Sequence, residues 1–434
     1  MKKYDNYKDS GIEWIGDVPE HWEVNKFGRA MFFQEGPGLR NWQFTESGIK
    51  VICVTNIVPP NIDFSKMTKY ISKEEYESTY KHFTVNKGDV MLASSGASWG
   101  KVAEYTDDEI VILNTSTIRI NEGENNKVKK DFIKWIIQSP YINESINLLL
   151  TGSCQPNFGP THLNKLTCVY PSSIEEQKLI ANYLDHKTTQ IDTLITKKEQ
   201  FISLLQEERT AVINQAVTKG LDPNVKMKDS GIEWLGEIPE HWEVKKLKYL
   251  CNIINEKTSE KPNYVLALEN IKSWTGEIIG NPLENKMEGD VTLFKKDDIL
   301  FNKLRPYLAK VIKTQCDGGC VGELLVLRSN QFLTPTFLYY RMISEAIITI
   351  VDNSTYGTKM PRASWEKFIS LIGVGFPSID EQNKITDYIE NKISDITLLL
   401  FKSQQEIELL KEYKTALISE VVTGKVDVRD VILN

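Results

Sequence analysis

The chain has 434 residues, a formal net charge of −7, and a composition of 41% hydrophobic and 26% charged residues. That is an ordinary folded protein, too long for one small core, and the length predicts roughly two to four domains. No apolar run reaches the roughly 18–20 residues of a membrane helix, and the opening MKKYDNYKDSG lacks the apolar core of a signal peptide, so a cytoplasmic protein with no membrane partner is expected. The six cysteines show no paired metal-ligand spacing. Cys316 and Cys320 stand close in CDGGC, but no second pair completes a zinc site, so free thiols are expected. The acidity is unevenly placed. Residues 20–172 hold 16 Lys/Arg against 17 Asp/Glu, and residues 240–377 hold 18 against 16. Both large blocks are near neutral and could each carry a local basic face.

In chain order, the first element is KDSGIEWIGDVPEHWEV at residues 8–24. It returns at 228–244 as KDSGIEWLGEIPEHWEV, with 14 of 17 positions identical. Pro19 and Pro239, with the tryptophan pairs Trp14/Trp22 and Trp234/Trp242, suit a rigid apolar clip at the edge of a block. His21 and His241 beside those tryptophans read as packing residues. The N-terminal copy is expected to dock where the C-terminal helix ends.

A block of strands and loops follows: GIKVICVTNIV (48–58), KGDVMLASSGASWGKVAEY (87–105) and IVILNTSTIRI (110–120). A helix over 130–150 and the polar loop TGSCQPNFGP (151–160) complete it. From Ile174 runs a segment of about 45 residues without Pro or Gly, preceded by Ser172 with Glu175 as a capping box and ended at Gly220. The same pattern recurs from Ile379, with Ser378 and Glu381 at its start and Gly424 at its end. Each segment predicts a helix about 65 Å long. Apolar residues spaced three and four apart (Leu184, Ile191, Ile195, Ile202, Leu205; Ile389, Ile396, Leu400, Ile407, Leu410) form heptad seams, which predict a coiled coil. An antiparallel pair is expected, in a register that sets Lys198 beside Lys414 and Arg209 beside Ser403.

The second block, between the two helices, repeats the grammar of the first: YVLALENI (264–271), KKDDILFNKLRPYLAKVI (295–312), CVGELLVLRS (320–329), a helix from about Thr336 to Val351, and the loop NSTYGTKMPRAS (353–364). The predicted organisation is a clip at 1–24, a first block at 25–172, a long helix at 173–219 and a linker with the second clip at 220–244. A second block at 245–377, a long helix at 378–424 and a tail at 425–434 complete the chain. The expected fold is α+β, or mixed α/β: two globular domains joined by two long antiparallel coiled-coil helices with internal pseudo-two-fold symmetry.

The chain carries no visible catalytic constellation. There is no GxxxxGK[ST], and no GxGxxG after a strand; GASWGK (96–101) fits neither phosphate fingerprint. The five histidines show no ligand-spaced pair, and no D/NPP[FYW]-like stretch of an adenine methyltransferase occurs. Side chains suited to nucleic acid do stand in the loops. The first block offers Arg40, Trp42, Ser95, Trp99, Lys101, Gln155 and Asn157; the second offers Lys303, Arg305, Tyr307, Lys359 and Arg362. Arg and Lys serve phosphates or guanine edges, Gln and Asn serve adenine edges, and Trp and Tyr supply stacking surface.

With their clips GIEWIGDVPEHWEV and GIEWLGEIPEHWEV, the openings PSSIEEQ and PSIDEQ, and the helix ends VTKG and VTGK, both halves resemble the specificity subunits of type I restriction–modification systems. The stretch NKLRPYLAKV is similar to a recurrent strand-loop of that family's target-recognition domains. The resemblance implies a non-catalytic subunit with two target-recognition domains, each reading one half of a bipartite site in double-stranded DNA, while the helices space the domains and act as dock. It implies two methyltransferase subunits and restriction endonuclease/translocase subunits as partners, with S-adenosylmethionine, ATP and Mg²⁺ on those partners and no cofactor on this chain. The competing expectation is a coiled-coil scaffold that joins two protein-binding modules.

Overall fold

The protein is described from a computed structural model, which covers residues 2–149, 158–260, 262–285, 289–357 and 359–433. The chain forms two compact units: Met1–Lys197 with Gln405–Asn434, and Lys198–Gln404. Each unit therefore takes its own block together with one part of each long helix.

In the first unit, Tyr7–Asp9 pairs antiparallel with Asp17–Pro19 to make the clip a hairpin. The block contains a six-stranded sheet in the order Met31–Glu35, Thr117–Glu122, Val90–Ala93, Val102–Glu104, Asn61–Ile62 and Ile57–Val58. A four-stranded sheet of Lys69–Ile71, Ile49–Ile52, Val111–Leu113 and Thr84–Val85 adjoins it. The strand Thr167–Pro171 returns to pair with Trp22–Lys26, so the block starts and ends side by side. The helix expected over 130–150 is two helices, α1 (Lys130–Gln138) and α2 (Pro140–Leu149). Ser139 is extended between them, because Pro140 has no N–H to continue a helix and disfavours helical backbone at the residue before it. α1 buries Phe132, Ile133, Ile136 and Ile137 in the same core as Leu184 and Ile191 of α3 (Ile174–Lys219).

The second unit follows the same plan. Met227–Asp229 pairs with Glu237–Pro239, and Glu243–Lys246 with Gly373–Phe376. Two four-stranded sheets carry the block, one of them ordered Cys251–Ile254, Leu324–Ser329, Ile299–Asn302 and Val311–Lys313. Its expected single helix is also split, into α4 (Pro335–Ile343) and α5 (Glu345–Asn353), with Ser344 extended at the break.

The long helices α3 and α6 (Ile379–Val422) are antiparallel within each unit. In the first, Leu184 and Ile191 share a core with Leu417 and Val421; in the second, Ile213 and Val217 share one with Ile385 and Ile389. The register departs from the seam-based expectation. Lys414 Nζ holds both oxygens of Asp192 at 2.7 Å, six residues from the Lys198 that was expected there, and Arg209 shares a cleft with Thr397, Leu400 and Phe401. Opposite charges replace the lysine–lysine contact of the expected register.

The doubled clip has a specific partner in each unit. The start of α3 uses Ser173, whose Oγ accepts from the Glu176 N–H at 3.3 Å, and not the expected Ser172 with Glu175. Ser172 Oγ donates instead to the His21 carbonyl at 2.8 Å. The Glu176 carboxylate turns toward the clip. Trp22 Nε1 donates to it at 3.1 Å, Tyr4 Oη at 2.8 Å, and His21 Nε2 lies 2.8 Å from its other oxygen. In the second unit Glu381 takes Trp242 Nε1 at 3.0 Å and His241 Nε2 at 2.8 Å. The next residue pins the block. Gln177, fully buried, donates to the Pro171 and Lys127 carbonyls and accepts from the Lys129 N–H. Gln382 does the same with Pro377, Phe332 and Thr334. The dipeptide Glu-Gln thus ties clip, helix and block together, once per unit.

The clip also meets a helix end. Gly424 closes α6 at φ +70°, and a Cβ there would lie 2.3 Å from Pro19. Tyr7 Oη donates to the Gly424 carbonyl at 3.2 Å, and Lys425 Nζ to that of Asp17. The N-terminal clip does dock where the C-terminal helix ends. Gly220, at φ +73°, closes α3 against Trp242 and Pro239 in the same way.

Candidate nucleic-acid interface

In each unit, loops that carry candidate residues leave one edge of a sheet. In the first unit the edge is set by register: Ala93 pairs with Thr117, and Ile118 with Glu35. Three segments leave there, after Glu35, after Ala93 and before Thr117. They share a root at Ser116, whose carbonyl accepts from the Ser94 N–H at 2.9 Å and whose N–H faces Glu35 Oε1 at 3.3 Å. The first segment carries Arg40 and Trp42. It is braced by Gln43, which accepts from the Arg40 N–H and donates to Tyr80 and Glu75. Arg40 is exposed, and Trp42 is 80% exposed, an unusually bare indole.

The second segment carries Ser95, Trp99 and Lys101 in a tight turn, closed by bonds between Ala93 and Gly100 and between Ala93 and Lys101. Lys101 is exposed. Trp99 differs from the stacking role expected of it: its ring meets Phe158 edge-on at 5.9 Å and packs against the core. Its Nε1, with Ser94 Oγ, Asn114 Oδ1 and Asn143 Oδ1, is buried without a hydrogen-bond partner among the described residues. Gln155 and Asn157 lie outside the described residues.

In the second unit the structure brings the sequence candidates together. The loop 303–310 follows the strand Ile299–Asn302, and the loop 354–363 follows α5. Arg305 N–H donates to the Pro361 carbonyl at 2.7 Å and Ala363 N–H to that of Lys303 at 2.9 Å. Leu304 and Tyr356 each form a bridge with Arg362. Lys303, Arg305, Tyr307, Lys359 and Arg362 therefore belong to one joined pair of loops. Arg305 and Ala309 flank the turn Pro306–Leu308 with left-handed backbone, φ +54° and +46°. Such geometry costs about 1–2 kcal/mol per non-glycine residue and is held here by the loop's own bonds, including Asn302 Nδ2 to the Leu304 carbonyl at 2.6 Å. Tyr307 is 47% exposed at the tip.

Sequence reasoning missed Tyr356 and Met360, both more than half exposed beside Tyr307's loop. It also missed Glu323, whose Oε1 takes Arg362 Nη2 at 2.6 Å. The spacing of Glu323 from Arg362 gives no signal; only the sheet brings them together. Elsewhere, Cys53, Cys168, Cys251 and Cys320 are buried free thiols, and burial raises the thiol pKa of the latter three to about 12. That leaves them uncharged and unreactive at neutral pH. Among the described residues no group of three or more His, Cys, Asp or Glu is placed to hold a metal, and no helix is long and apolar enough to cross a membrane.

Residues 19–203 match the family model of the type I restriction modification DNA specificity domain. This stretch is similar to a type I DNA specificity domain. The match runs from the end of the first clip through the first block and into α3. Similarity extends further in whole-chain comparisons. The EcoDI specificity subunit of Escherichia coli is 24% identical over 373 residues, covering 81% of each chain. The StySPI specificity subunit of Salmonella potsdam is 26% identical over 332 residues, 73% of this chain and 66% of that one. Among solved structures, a chain from work on complex assembly and conformational transition of the type I R-M system aligns with a TM-score of 0.69 at 12% identity, over 94% of this chain and 99% of that one. The HsdS subunit from Thermoanaerobacter tengcongensis aligns at 0.54 and 14% identity, over 94% and 98%. At such identities the structures speak for the fold alone, and the alignments run beyond residues 19–203 over 94% of the chain.

Proposed function

We propose that the chain is the DNA sequence-specificity subunit of a type I restriction–modification complex. Each recognition block reads one half of a bipartite duplex site, and α3 and α6 space the blocks and dock two methyltransferase subunits. Restriction endonuclease/translocase subunits complete the assembly. S-adenosylmethionine, ATP and Mg²⁺ belong to those partners, and this chain contributes recognition without catalysis, in the cytoplasm. The observation that carries the reading is the contrast within the chain: one scaffold built twice, presenting two sets of basic and aromatic loops that differ in sequence. A scaffold for two protein-binding modules is not favoured, since the matched family is a DNA specificity domain.

Near-neutral blocks have limited phosphate affinity alone, so partners supply much of the salt-dependent binding. The test is retention of a randomised duplex library by the chain co-expressed with its methyltransferase. Recovery of one bipartite sequence is expected, and unselective retention sinks the reading. Exchanging residues 240–377 for the corresponding block of a relative then alters one half of the recovered sequence and leaves the other intact.

A further inference from the structure

The joined loops of the second unit hold one carboxylate among many cations. Residues 303–310 and 354–363 contain Lys303, Arg305, Lys310, Lys359 and Arg362 and no acidic residue. Glu323 reaches in from the neighbouring strand connection, rooted by the Lys303 N–H bond to its carbonyl at 3.1 Å. A carboxylate beside a phosphate track opposes binding through charge repulsion. Its presence calls for a different task.

That task is legible in the geometry of Arg362. The backbone is fixed from both sides: Tyr356 and Arg362 exchange two N–H to carbonyl bonds at 3.1 Å, and the flanking residues Pro361 and Ala363 bond to Arg305 and Lys303. The guanidinium is fixed at one corner by Glu323 Oε1, 2.6 Å from Nη2, while 45% of the side chain stays exposed. Glu323 Oε2 is buried without a partner among the described residues, so Arg362 is the cation on which the carboxylate acts. An arginine whose rotamer is set in advance presents its remaining donors in one plane, and loses less freedom on binding. A planar fork of donors matches the O6 and N7 acceptors of guanine in the major groove. A phosphate needs no such orientation, and lysines such as Lys303 and Lys359, point charges on flexible stems, suit it better.

We propose that Arg362 reads a guanine in the half-site of the second recognition block, and that Glu323 is the positioning residue that aims it. The inference rests on the function proposed above. It is tested on the complex with the methyltransferase, by binding to a duplex panel in which each position of the second half-site is varied in turn, at several salt concentrations. Arg362→Ala is expected to lose about ten- to hundredfold discrimination at one guanine position only. Arg362→Lys, which keeps the charge, is not expected to restore it. Glu323→Gln is expected to weaken discrimination at that same position while leaving the salt slope unchanged. Uniform weakening on every duplex with Arg362→Ala, with a salt slope reduced by about 1, overturns the proposal in favour of a phosphate contact. Unchanged discrimination in all three variants overturns it too, and leaves the parent function standing so long as the unaltered complex is selective. A wild-type complex without selectivity brings down both readings together.

Discussion

The two clip junctions are near copies, and the two loop pairs are not. Trp22, His21 and Glu176 in one unit, and Trp242, His241 and Glu381 in the other, differ by no more than 0.1 Å in their hydrogen bonds. At the loop roots only main-chain bonds are shared: Ser94 N–H to the Ser116 carbonyl and Ala93 N–H to that of Lys101 in one, Lys303 N–H to that of Glu323 and Asn302 N–H to that of Lys310 in the other. The difference teaches how one scaffold tolerates two surfaces. A backbone bond holds the root whatever side chains it bears, whereas the junction depends on particular donors, an acceptor and a glycine. Side chains are free to vary where the main chain does the holding.

The sharpest way to break the likeness of the junctions is to load their glycines. Gly424 and Gly220 both need left-handed backbone, at a cost of about 1–2 kcal/mol for any other residue. Gly424 is also crowded by the Pro19 ring at 2.3 Å from an added Cβ, while the nearest atom to one on Gly220 is 3.5 Å away. Gly424→Ala is expected to cost about 2–5 kcal/mol, since overpacking adds to strain, and Gly220→Ala about 1–2 kcal/mol. Urea unfolding measures both, and equal losses would show that the N-terminal clip is free to move away.

A second comparison removes the carboxylates. Glu176 faces Tyr4, His21 and Trp22, and its side chain is 6% exposed; Glu381 faces two partners and is 29% exposed. Glu176→Ala strands the buried Trp22 Nε1 and is expected to cost about 2–4 kcal/mol, against about 1–2 kcal/mol for Glu381→Ala. Thermal unfolding of both variants checks the ranking, and a larger loss from Glu381→Ala would reverse it.

This junction also shows where sequence reading succeeds and stops. Repeats, long helices, clip docking and the mixed α/β blocks are legible, because hydrophobic period and glycine position are local signals. In sequence Glu381 reads as a capping-box residue and Glu176 is passed over for Glu175, since the true partners of the Glu-Gln dipeptide, Trp22 and Pro171 among them, come together only in the fold. The breaks at Ser139 and Ser344 escape notice because apolar spacing carries on across them. In the loops, Arg305 and Arg362 are visible as residue types, but their joining through Pro361 depends on backbone bonds that composition does not encode. Trp99 looks like Trp42 in sequence; what separates them is Phe158, fifty-nine residues from Trp99 and packed on its ring.

The chain's two ends give a pH-dependent test of the first junction. The Arg429 guanidinium hydrogen-bonds Asp427 and holds its carboxyl below the usual carboxylate range. Asp427 N–H donates to the Lys2 carbonyl, and Arg429 lies 4.8 Å over the Tyr4 ring. A depressed carboxylate contributes stability above its unfolded pKa of about 3.9, and the contribution is lost as the pH falls through the folded value. Protection of the amides of residues 2–7 against hydrogen exchange, taken relative to the intrinsic rate at each pH, is expected to fall below about pH 4, and to do so less in Asp427→Asn. Protection that is flat across this range in the wild type would place the tail's hold elsewhere. The second junction has no tail and supplies the control.

The smallest effect concerns the helix register, and it discriminates well because it is small. Lys414 and Asp192 are the pair that departs from the seam-based register, with side chains 30% and 55% exposed. An exposed pair contributes about 0.2–1 kcal/mol, screened by salt. Lys414→Ala and Asp192→Ala should therefore each destabilise slightly at low salt, and the double variant should cost no more than either alone, leaving a coupling of about 0.3–0.5 kcal/mol that fades in high salt. If Lys414 instead faced Lys198, Lys414→Ala would stabilise by relieving repulsion, and Asp192→Ala would show no coupling to it. The sign of one substitution thus decides between the two registers, where its size alone would not.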